Sequence, residues 1–237
     1  MEIPYIKGVV TTQAHVGIPD GTFEEEIGRN GFFGKYAHLY RSHSPVSWTR
    51  IEGPLKPQAF DLRKMKDTRD YLNGRKVFLN NDDVQLAFVN LTEPMNYFFR
   101  NADADEVLFV HNGSGRIETD FGPLNYVKGD YLQIPRGTVY RLDPAEATQI
   151  LVIESFSEVN FPEKGMLGQH ALFDPAVVRV PTPETMPFSS IKKQDEYEVR
   201  IKRCGEITKV FYPFCPLDTV GWKGTMSVLQ LNVKDIR

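Results

Sequence analysis

Imidazole side chains are the groups in this sequence best suited to bind a metal, and two of them lie close together. His38 and His43 stand five residues apart in KYAHLYRSH, where Tyr36, His38 and Tyr40 would share one face of a strand. Two histidines with no third ligand in view are usually structural. We therefore expect a structural role for this pair and keep metal binding as the alternative.

The two cysteines, Cys204 and Cys215, offer a second kind of chemistry. A redox pair or half of a zinc site would favour CxxC spacing or a neighbouring histidine, and neither is present. Two cysteines in a chain that is not secreted are more often free thiols than a disulfide. The sequence therefore predicts two free thiols.

A series of glycine turns between Phe99 and Tyr140 gives the chain its most regular pattern. Asn112-Gly113-Ser114-Gly115 joins two short strands, and Asn-Gly readily supplies the positive φ values of a hairpin turn. Further turns follow at Lys128-Gly129-Asp130 and Pro135-Arg136-Gly137. Prolines, glycines and aromatic residues spread over the whole length also favour short strands over long helices. We predict a hairpin at Gly113 and an all-β fold.

The spacing of these turns resembles the two signature motifs of the cupin superfamily, whose members are small double-stranded β-helix barrels. The matching patterns are Glu106-x6-Gly113 and Gly129-x5-Pro135-x-Gly137-x2-Tyr140. In that superfamily the first motif supplies two histidines, separated by one residue, and a glutamate, and the second supplies a further histidine. Because inward-facing residues alternate along a strand, such a set can surround Fe, Mn or Ni.

The metal-binding side chains of that motif are largely replaced in this chain. Phe99 and Asn101 occupy the positions of the paired histidines, Tyr140 occupies that of the last histidine, and Glu106 alone remains. Phenylalanine cannot ligate, tyrosine and asparagine bind such metals poorly, and one carboxylate will not hold an ion against water. We predict a degenerate cupin with no metal or cofactor bound to residues 1–237. Glu106 and Tyr140 are candidate pocket-lining residues, with a structural role for Glu106 favoured.

A wider resemblance, to the homogentisate 1,2-dioxygenase family, covers nearly the whole chain. Its last block contains the most specific positions, which surround Trp222. The matching blocks are Gly31-Phe32 with HLYRSHSP, FRNADADEVLFVHNGSGRIETDFG, Phe161-Pro162 through Gly168 continuing into FDPAVVRVP, and PFCPLDTVGWKGTM with Pro216, Asp218, Val220, Gly221, Trp222 and Gly224.

The resemblance implies an Fe(II)-dependent, extradiol-type ring-cleaving dioxygenase of tyrosine degradation, built of two β domains and assembled from trimers. It implies that two histidines and a glutamate hold the iron in a C-terminal domain that lies beyond the part matching Arg237. None of the five histidines lies in that iron motif: His15, His38, His43, His111 and His170. We therefore expect no catalytic residue in this chain, which alone would be an inactive structural and oligomerising N-terminal part.

Two other functions are alternatives to this one. The first is a metal-free cupin that binds a small ligand or acts as a scaffold. It is consistent with the absence of metal ligands, but it does not explain an incomplete second domain. A cupin enzyme such as a sugar isomerase would need a metal at Phe99, Asn101, Glu106 and Tyr140, which ligand chemistry disfavours.

Composition changes along the chain predict four regions. Residues 1–60 are turn-rich and irregular, and residues 61–160 form the degenerate barrel. Residues 161–189 are a proline-rich connecting segment, and residues 190–237 begin a second β domain that is too short to be complete.

Charge and hydropathy limit the partners. A net charge of −3 and a pI near 6.0 provide no basic surface for nucleic acid. No apolar run approaches the roughly 20 residues that cross a bilayer, and MEIPYIKG does not resemble a secretory signal. We expect a cytoplasmic protein whose partners are copies of itself and, through the missing domain, a small aromatic substrate.

Overall fold

The structure, a computed structural model, describes residues 5–31, 33–54, 57–66, 69–161, 174–183 and 194–236. The predictions at Phe32 and His170, and most of those for the connecting segment, concern positions outside these ranges. The chain divides into two compact units, residues 1–59 and residues 60–237.

Short strands dominate both units, which confirms the all-β prediction. The first unit contains β1 (Phe23–Asn30) and β2 (Phe33–Arg41). The second contains β3 (Lys76–Asn80), β4 (Val84–Leu91), β5 (Phe98–Asn101), β6 (Asp105–Asn112), β7 (Ser114–Thr119), β8 (Gly122–Val127), β9 (Asp130–Ile134), β10 (Val139–Pro144), β11 (Thr148–Ser155), β12 (Tyr197–Arg203), β13 (Glu206–Tyr212) and β14 (Leu229–Asn232). The short helix α1 (Tyr71–Gly74) precedes β3, and 3₁₀ turns cover Leu62–Lys64, Pro175–Val177 and Val233–Asp235.

The first unit, predicted to be irregular, contains one regular element. Strands β1 and β2 form an antiparallel hairpin in which Glu24 pairs with Tyr40 and Glu26 pairs with His38. Opposed residues in such a pair point to the same face, and alternate residues of one strand share that face. Tyr36, His38 and Tyr40 therefore lie on one face, as their spacing predicted.

The second unit is built from two six-stranded sheets. Their strand orders are β13-β12-β5-β10-β7-β8 and β14-β9-β6-β11-β4-β3, and the described pairs are antiparallel except β12 with β5. From β4 to β11 the chain alternates between the sheets, apart from the hairpin of β7 and β8. This path is that of a cupin-like β sandwich, in which side chains from both sheets form one core.

The turn at Gly113 is a corner and not the predicted hairpin. β6 pairs with β9 and β11, whereas β7 pairs with β8 and β10, so the two strands belong to different sheets. Gly113 does adopt the predicted positive φ, of 96°. A positive φ reverses the chain locally but does not determine which strands pair. Here the pairing follows from burial of the apolar faces of β6 and β7.

The core lies between the sheets and contains large side chains from each. Phe99, Ile117 and Tyr140 belong to the first sheet, and Leu108 and Ile150 to the second; all five are fully buried. They alternate with exposed or half-buried neighbours along β6 and β11, as expected for strands with one face in a core. The site described below includes Phe99 and Tyr140 of this core.

Within residues 194–236, the described part of the predicted region 190–237, there are three strands. β12 pairs in parallel with β5, β13 pairs with β12, and β14 pairs with β9. They thus extend both sheets of the second unit. The expectation that a second β domain begins in this region stays a prediction.

Both cysteines are free thiols, as predicted: Cys204 is exposed and Cys215 is half-buried. Burial raises the pKa of the Cys215 thiol, which favours its uncharged form. Among the described residues no helix is long and apolar enough to cross a membrane.

Replacing Gly113 by alanine should destabilise the fold more than replacing Gly137. Both have positive φ, of 96° and 90°, and each alanine should therefore cost about 1 to 2 kcal/mol. A Cβ at Gly137 meets no atom within 4 Å, whereas one at Gly113 would lie 2.6 Å from Thr148 Oγ1 and 2.7 Å from the Ala147 carbonyl oxygen. The crowded variant should lose about 1 to 3 kcal/mol more. Urea unfolding measures the difference, and equal losses would contradict the corner packing.

Candidate functional site

Three of the four residues that the sequence analysis assigned to cupin metal positions meet in one buried cluster. Phe99, Glu106 and Tyr140 lie inside the barrel, with between 0% and 1% of their surfaces exposed. Phe99 and Tyr140 are paired across β5 and β10, and their rings meet edge to face at 5.6 Å. The residue at the centre of the cluster is Arg75, which the sequence analysis did not single out.

Arg75 enters the barrel directly after helix α1. The Asp70 side chain caps this helix by accepting a hydrogen bond from the Asn73 N–H at 2.6 Å, and the backbone turns extended at Arg75. The Tyr97 hydroxyl accepts from the Leu72 N–H at 3.1 Å and fixes the helix against β5. The short helix therefore aims the guanidinium inward, where its side chain is 9% exposed.

The guanidinium of Arg75 joins two buried carboxylates. Nη2 lies 2.8 Å from Glu106 Oε1, and Nη1 donates to Glu154 Oε1 at 2.6 Å. Glu106 and Glu154 face each other across β6 and β11, so two negative charges would repel without a cation between them. Lys202 of β12 donates to the second oxygen of Glu154. The four groups carry balanced charge.

Two tyrosine hydroxyls continue the network. Arg75 Nη2 donates to the Tyr140 hydroxyl at 3.1 Å, which in turn donates to Glu106 Oε2 at 2.9 Å. The Tyr71 and Tyr140 hydroxyls lie 3.1 Å apart. Burial, and then the charge of Glu106, raise the pKa of Tyr140 well above its ordinary value, and burial raises that of Tyr71. Both side chains therefore remain neutral phenols.

Aromatic rings complete the surroundings of the guanidinium. The Arg75 Cζ atom lies 4.3 Å from the centroid of the Tyr71 ring and 5.2 Å from that of Phe99, within cation–π distance. Burial alone would lower the pKa of Arg75, but the surrounding tyrosines and carboxylates raise it well above its ordinary value. The guanidinium is thus a permanent cation in this site.

The residues of this cluster do not fit a metal ion. Glu106 is the one strong ligand among the four cupin positions, and its oxygens face Arg75 and Tyr140. A tyrosine binds metal as its anion, which the raised pKa of Tyr140 opposes. The Oδ1 atom of Asn101 accepts from the N–H groups of Asp103 and Ala104, so this side chain shapes the turn before β6.

Sequence reasoning missed four members of the cluster: Tyr71, Arg75, Glu154 and Lys202. A signal existed for Glu154, because alternation in β11 places it on the buried face with Ile150 and Val152. A carboxylate at a core position requires a partner. Nothing in the sequence around Arg75 identifies it as that partner, since the contact spans 79 residues.

The four histidines that the structure describes do not gather at the barrel site. His43 contacts the Ser42 hydroxyl, and the exposed His111 packs its ring near Phe88. His38 does not meet His43 as the sequence suggested, but lies with His15 and Glu24 in the first unit, the one candidate metal group among the described residues.

A surface cleft of about 370 Å³ lies elsewhere in the second unit. It is lined mainly by residues 156–161 and 225–227, together with Asp105, Gln133 and Arg136. The Asp105 carboxylate accepts hydrogen bonds from the N–H groups of Arg136 and Val159, at 2.7 and 2.8 Å. Neither Glu106 nor Tyr140 lines this cleft.

Comparison with known proteins identifies a related family. The family described as "Homogentisate 1,2-dioxygenase N-terminal" matches residues 56–232. A protein of Saccharolobus solfataricus named as a dioxygenase is 27% identical over 90% of this chain and 59% of its own length. A homogentisate 1,2-dioxygenase of Sinorhizobium fredii is 24% identical over 76% of this chain and 40% of its own length.

The chain thus spans 40% to 59% of the length of these two relatives. Among solved structures, a cupin-2 domain protein from Shewanella frigidimarina matches 34% of this chain and 78% of its own, with 25% identity and a TM-score of 0.32.

Replacing Arg75 by methionine should strongly destabilise the second unit. The variant leaves Glu106 and Glu154 opposed without their shared cation, and breaking a buried ion pair costs about 3 to 5 kcal/mol. Arg63→Met removes an exposed pair with Asp61 and should leave stability unchanged within error. Chemical denaturation compares the variants. Equal stability of Arg75→Met and wild type would show that the network does not hold the barrel.

Proposed function

Because this chain belongs to the family of homogentisate 1,2-dioxygenase N-terminal regions, we propose that it is the N-terminal part of an aromatic ring-cleaving dioxygenase. Within that protein its own barrel has a structural and not a catalytic role. The chain spans only part of its relatives, and we assign the catalytic centre to the remaining part.

The single observation that carries this division of roles is the position of the Arg75 guanidinium. It contacts Glu106, Tyr140 and Phe99, three of the four positions where a cupin would hold its metal. A guanidinium keeps its proton throughout the physiological pH range and has no lone pair to offer a metal or a substrate. A barrel closed in this way supports its neighbours but has no open coordination position for chemistry.

The family supports a proposal for the activity of the whole protein. We propose Fe(II)-dependent, extradiol-type cleavage of homogentisate or a related ring, in tyrosine degradation, by a protein of the cytoplasm. Bound to two histidines and one carboxylate, Fe(II) leaves positions open for a chelating aromatic substrate and O₂. Residues 1–237 would then supply packing surface for that centre and remain inactive alone.

We further propose that the second unit contributes to a trimer-based homo-oligomer. β13 is an edge strand, and its residues Ile207 and Phe211 expose 45% and 52% of their surfaces on one face. Phe214, which follows the strand, is 52% exposed. Exposed apolar groups beside an unpaired strand edge are typical of an association surface.

A metal-free binding module remains the second candidate function, and the cleft beside Asp105 favours it. Its volume of about 370 Å³ would accommodate a small ligand, and its lining mixes aromatic and polar side chains. Under this alternative residues 1–237 would bind a small molecule without any dependence on the remaining part of the protein.

Oxygen uptake with homogentisate tests the proposed activity. The protein that contains this chain and its catalytic part should consume O₂ with the substrate, whereas residues 1–237 alone should not. Glu106→Gln in the longer protein should keep iron content and uptake per folded protein within about twofold, since Glu106 contacts no substrate in this proposal. An iron-loaded long protein that consumes no O₂, or a folded Glu106→Gln variant that retains iron but is inactive, would contradict it.

Charged substitutions on β13 test the association surface. Ile207→Lys combined with Phe211→Glu should lower the molar mass measured by light scattering, because desolvating two charges opposes association. Val77→Lys is the matched control, since Val77 is 49% exposed on the edge strand of the other sheet. The proposal fails if the double variant keeps the mass of the wild type, or if the control dissociates equally.

A further inference from the structure

Two histidines and a glutamate converge in the first unit, far in sequence from the barrel cluster. We propose that His15, Glu24 and His38 form a binding site for a divalent first-row transition-metal ion such as Zn²⁺. One ligand atom from each residue lies within 4.8 Å of the others. The inference rests on these residues alone and does not depend on the proposed function.

The distances within the group are close to those of a coordination shell. Glu24 Oε1 lies 2.7 Å from His38 Nδ1 and 3.3 Å from His15 Nδ1. Ligand bonds of about 2.0 to 2.2 Å place neighbouring ligand atoms roughly 3.0 to 3.4 Å apart, so both carboxylate–imidazole distances are within a few tenths of an ångström of the coordinated spacing. The two imidazole rings are 5.3 Å apart and inclined at 68°, which keeps them from stacking over the carboxylate.

The fold positions these side chains before any ion binds. Glu24 and His38 are diagonal neighbours on one face of the β1–β2 hairpin. The segment that carries His15 crosses the same face, where Thr11 Oγ1 lies 2.6 Å from the Tyr40 hydroxyl. The His15 N–H donates to Glu24 Oε2 at 3.2 Å. The same N–H also donates to Oε1 at 3.4 Å, so it orients the whole carboxylate, as groups behind a metal ligand commonly do, while Oε1 also faces both rings.

Burial gives the site one protected and one open side. The side chains of Glu24 and His38 are 6% and 17% exposed, whereas that of His15 is 67% exposed. The Tyr36 ring packs edge to face on His38 at 5.5 Å and shields it further. Three protein ligands with access from one side leave a fourth position for water or a small anionic ligand.

Donor chemistry favours a borderline metal over Ca²⁺ or Mg²⁺. Imidazole nitrogen suits Zn²⁺, Fe²⁺, Co²⁺ and Ni²⁺, whereas Ca²⁺ and Mg²⁺ require mostly oxygen ligands. Binding requires both Nδ1 atoms to be unprotonated, so the ion replaces the protons that otherwise join the imidazoles to Glu24. The competing possibility is that hydrogen bonds alone hold the three side chains together, and that no ion binds.

Zn²⁺ titration of the whole chain, free of any affinity tag, tests the site. Calorimetry should show one ion bound per chain, and His15→Ala, Glu24→Gln and His38→Ala should each weaken binding, the histidine variants by about 100-fold or more. His43→Ala removes a histidine just beyond the same hairpin, and Cys204→Ser removes the exposed thiol. Both controls should bind Zn²⁺ as the wild type does.

A measurement on the wild-type chain covers the case in which a variant unfolds the hairpin. Co²⁺ is paramagnetic and should perturb the imidazole NMR signals of His15 and His38 well before those of His43 and His111. Zn²⁺ binding that survives both histidine substitutions would overturn the proposal. So would the absence of binding at about 0.1 mM Zn²⁺, far above the concentration that fills an ordinary protein zinc site, or cobalt effects centred on other residues.

Discussion

Two carboxylates, Glu106 and Glu154, stand directly opposite each other on neighbouring core strands, and the barrel depends on how their repulsion is resolved. Arg75 resolves it by contacting both, and Lys202 adds a second cation at Glu154. Removing these charges from water costs several kcal/mol for each ion, so the arrangement depends on the ion pairs that Arg75 and Lys202 make with the two carboxylates. The four chain segments that carry Arg75, Glu106, Glu154 and Lys202 are therefore held together by one charge network.

This coupling connects the local and the long-range organisation of the second unit. Arg75 follows a helix of only four residues, which is capped by the Asp70 side chain. This cap stabilises the helix and also sets the direction in which the guanidinium points. Lys202 belongs to β12, which joins the first sheet in parallel beside β5. The region after residue 190 thus reaches the charge network of the barrel. That contact supports a structural role for the barrel within a larger protein.

Sequence reasoning reached the class of the fold and the place of its turns, because glycine conformation and strand alternation act over a few residues. Its assignment of Phe99, Asn101, Glu106 and Tyr140 to cupin positions without a metal set stays a prediction. It could not find Arg75, and it took Gly113 for a hairpin. Both features depend on partners that are distant in sequence. The Arg75 guanidinium is 79 residues from the Glu154 carboxylate, and β6 pairs with β11 and not with the next strand along the chain. The pairing of His38 with His15, and not with His43, has the same cause.

The two clusters of this chain show how the partner of a buried carboxylate determines its chemistry. Glu106 is held by a guanidinium, which keeps its protons at every physiological pH and cannot ligate a metal. Glu24 is held by imidazoles, and an imidazole ring nitrogen without its proton presents a lone pair. The first arrangement is closed to exchange, so its carboxylate serves the fold. In the site proposed for the second arrangement, a metal ion takes the place of the protons between the imidazoles and the carboxylate.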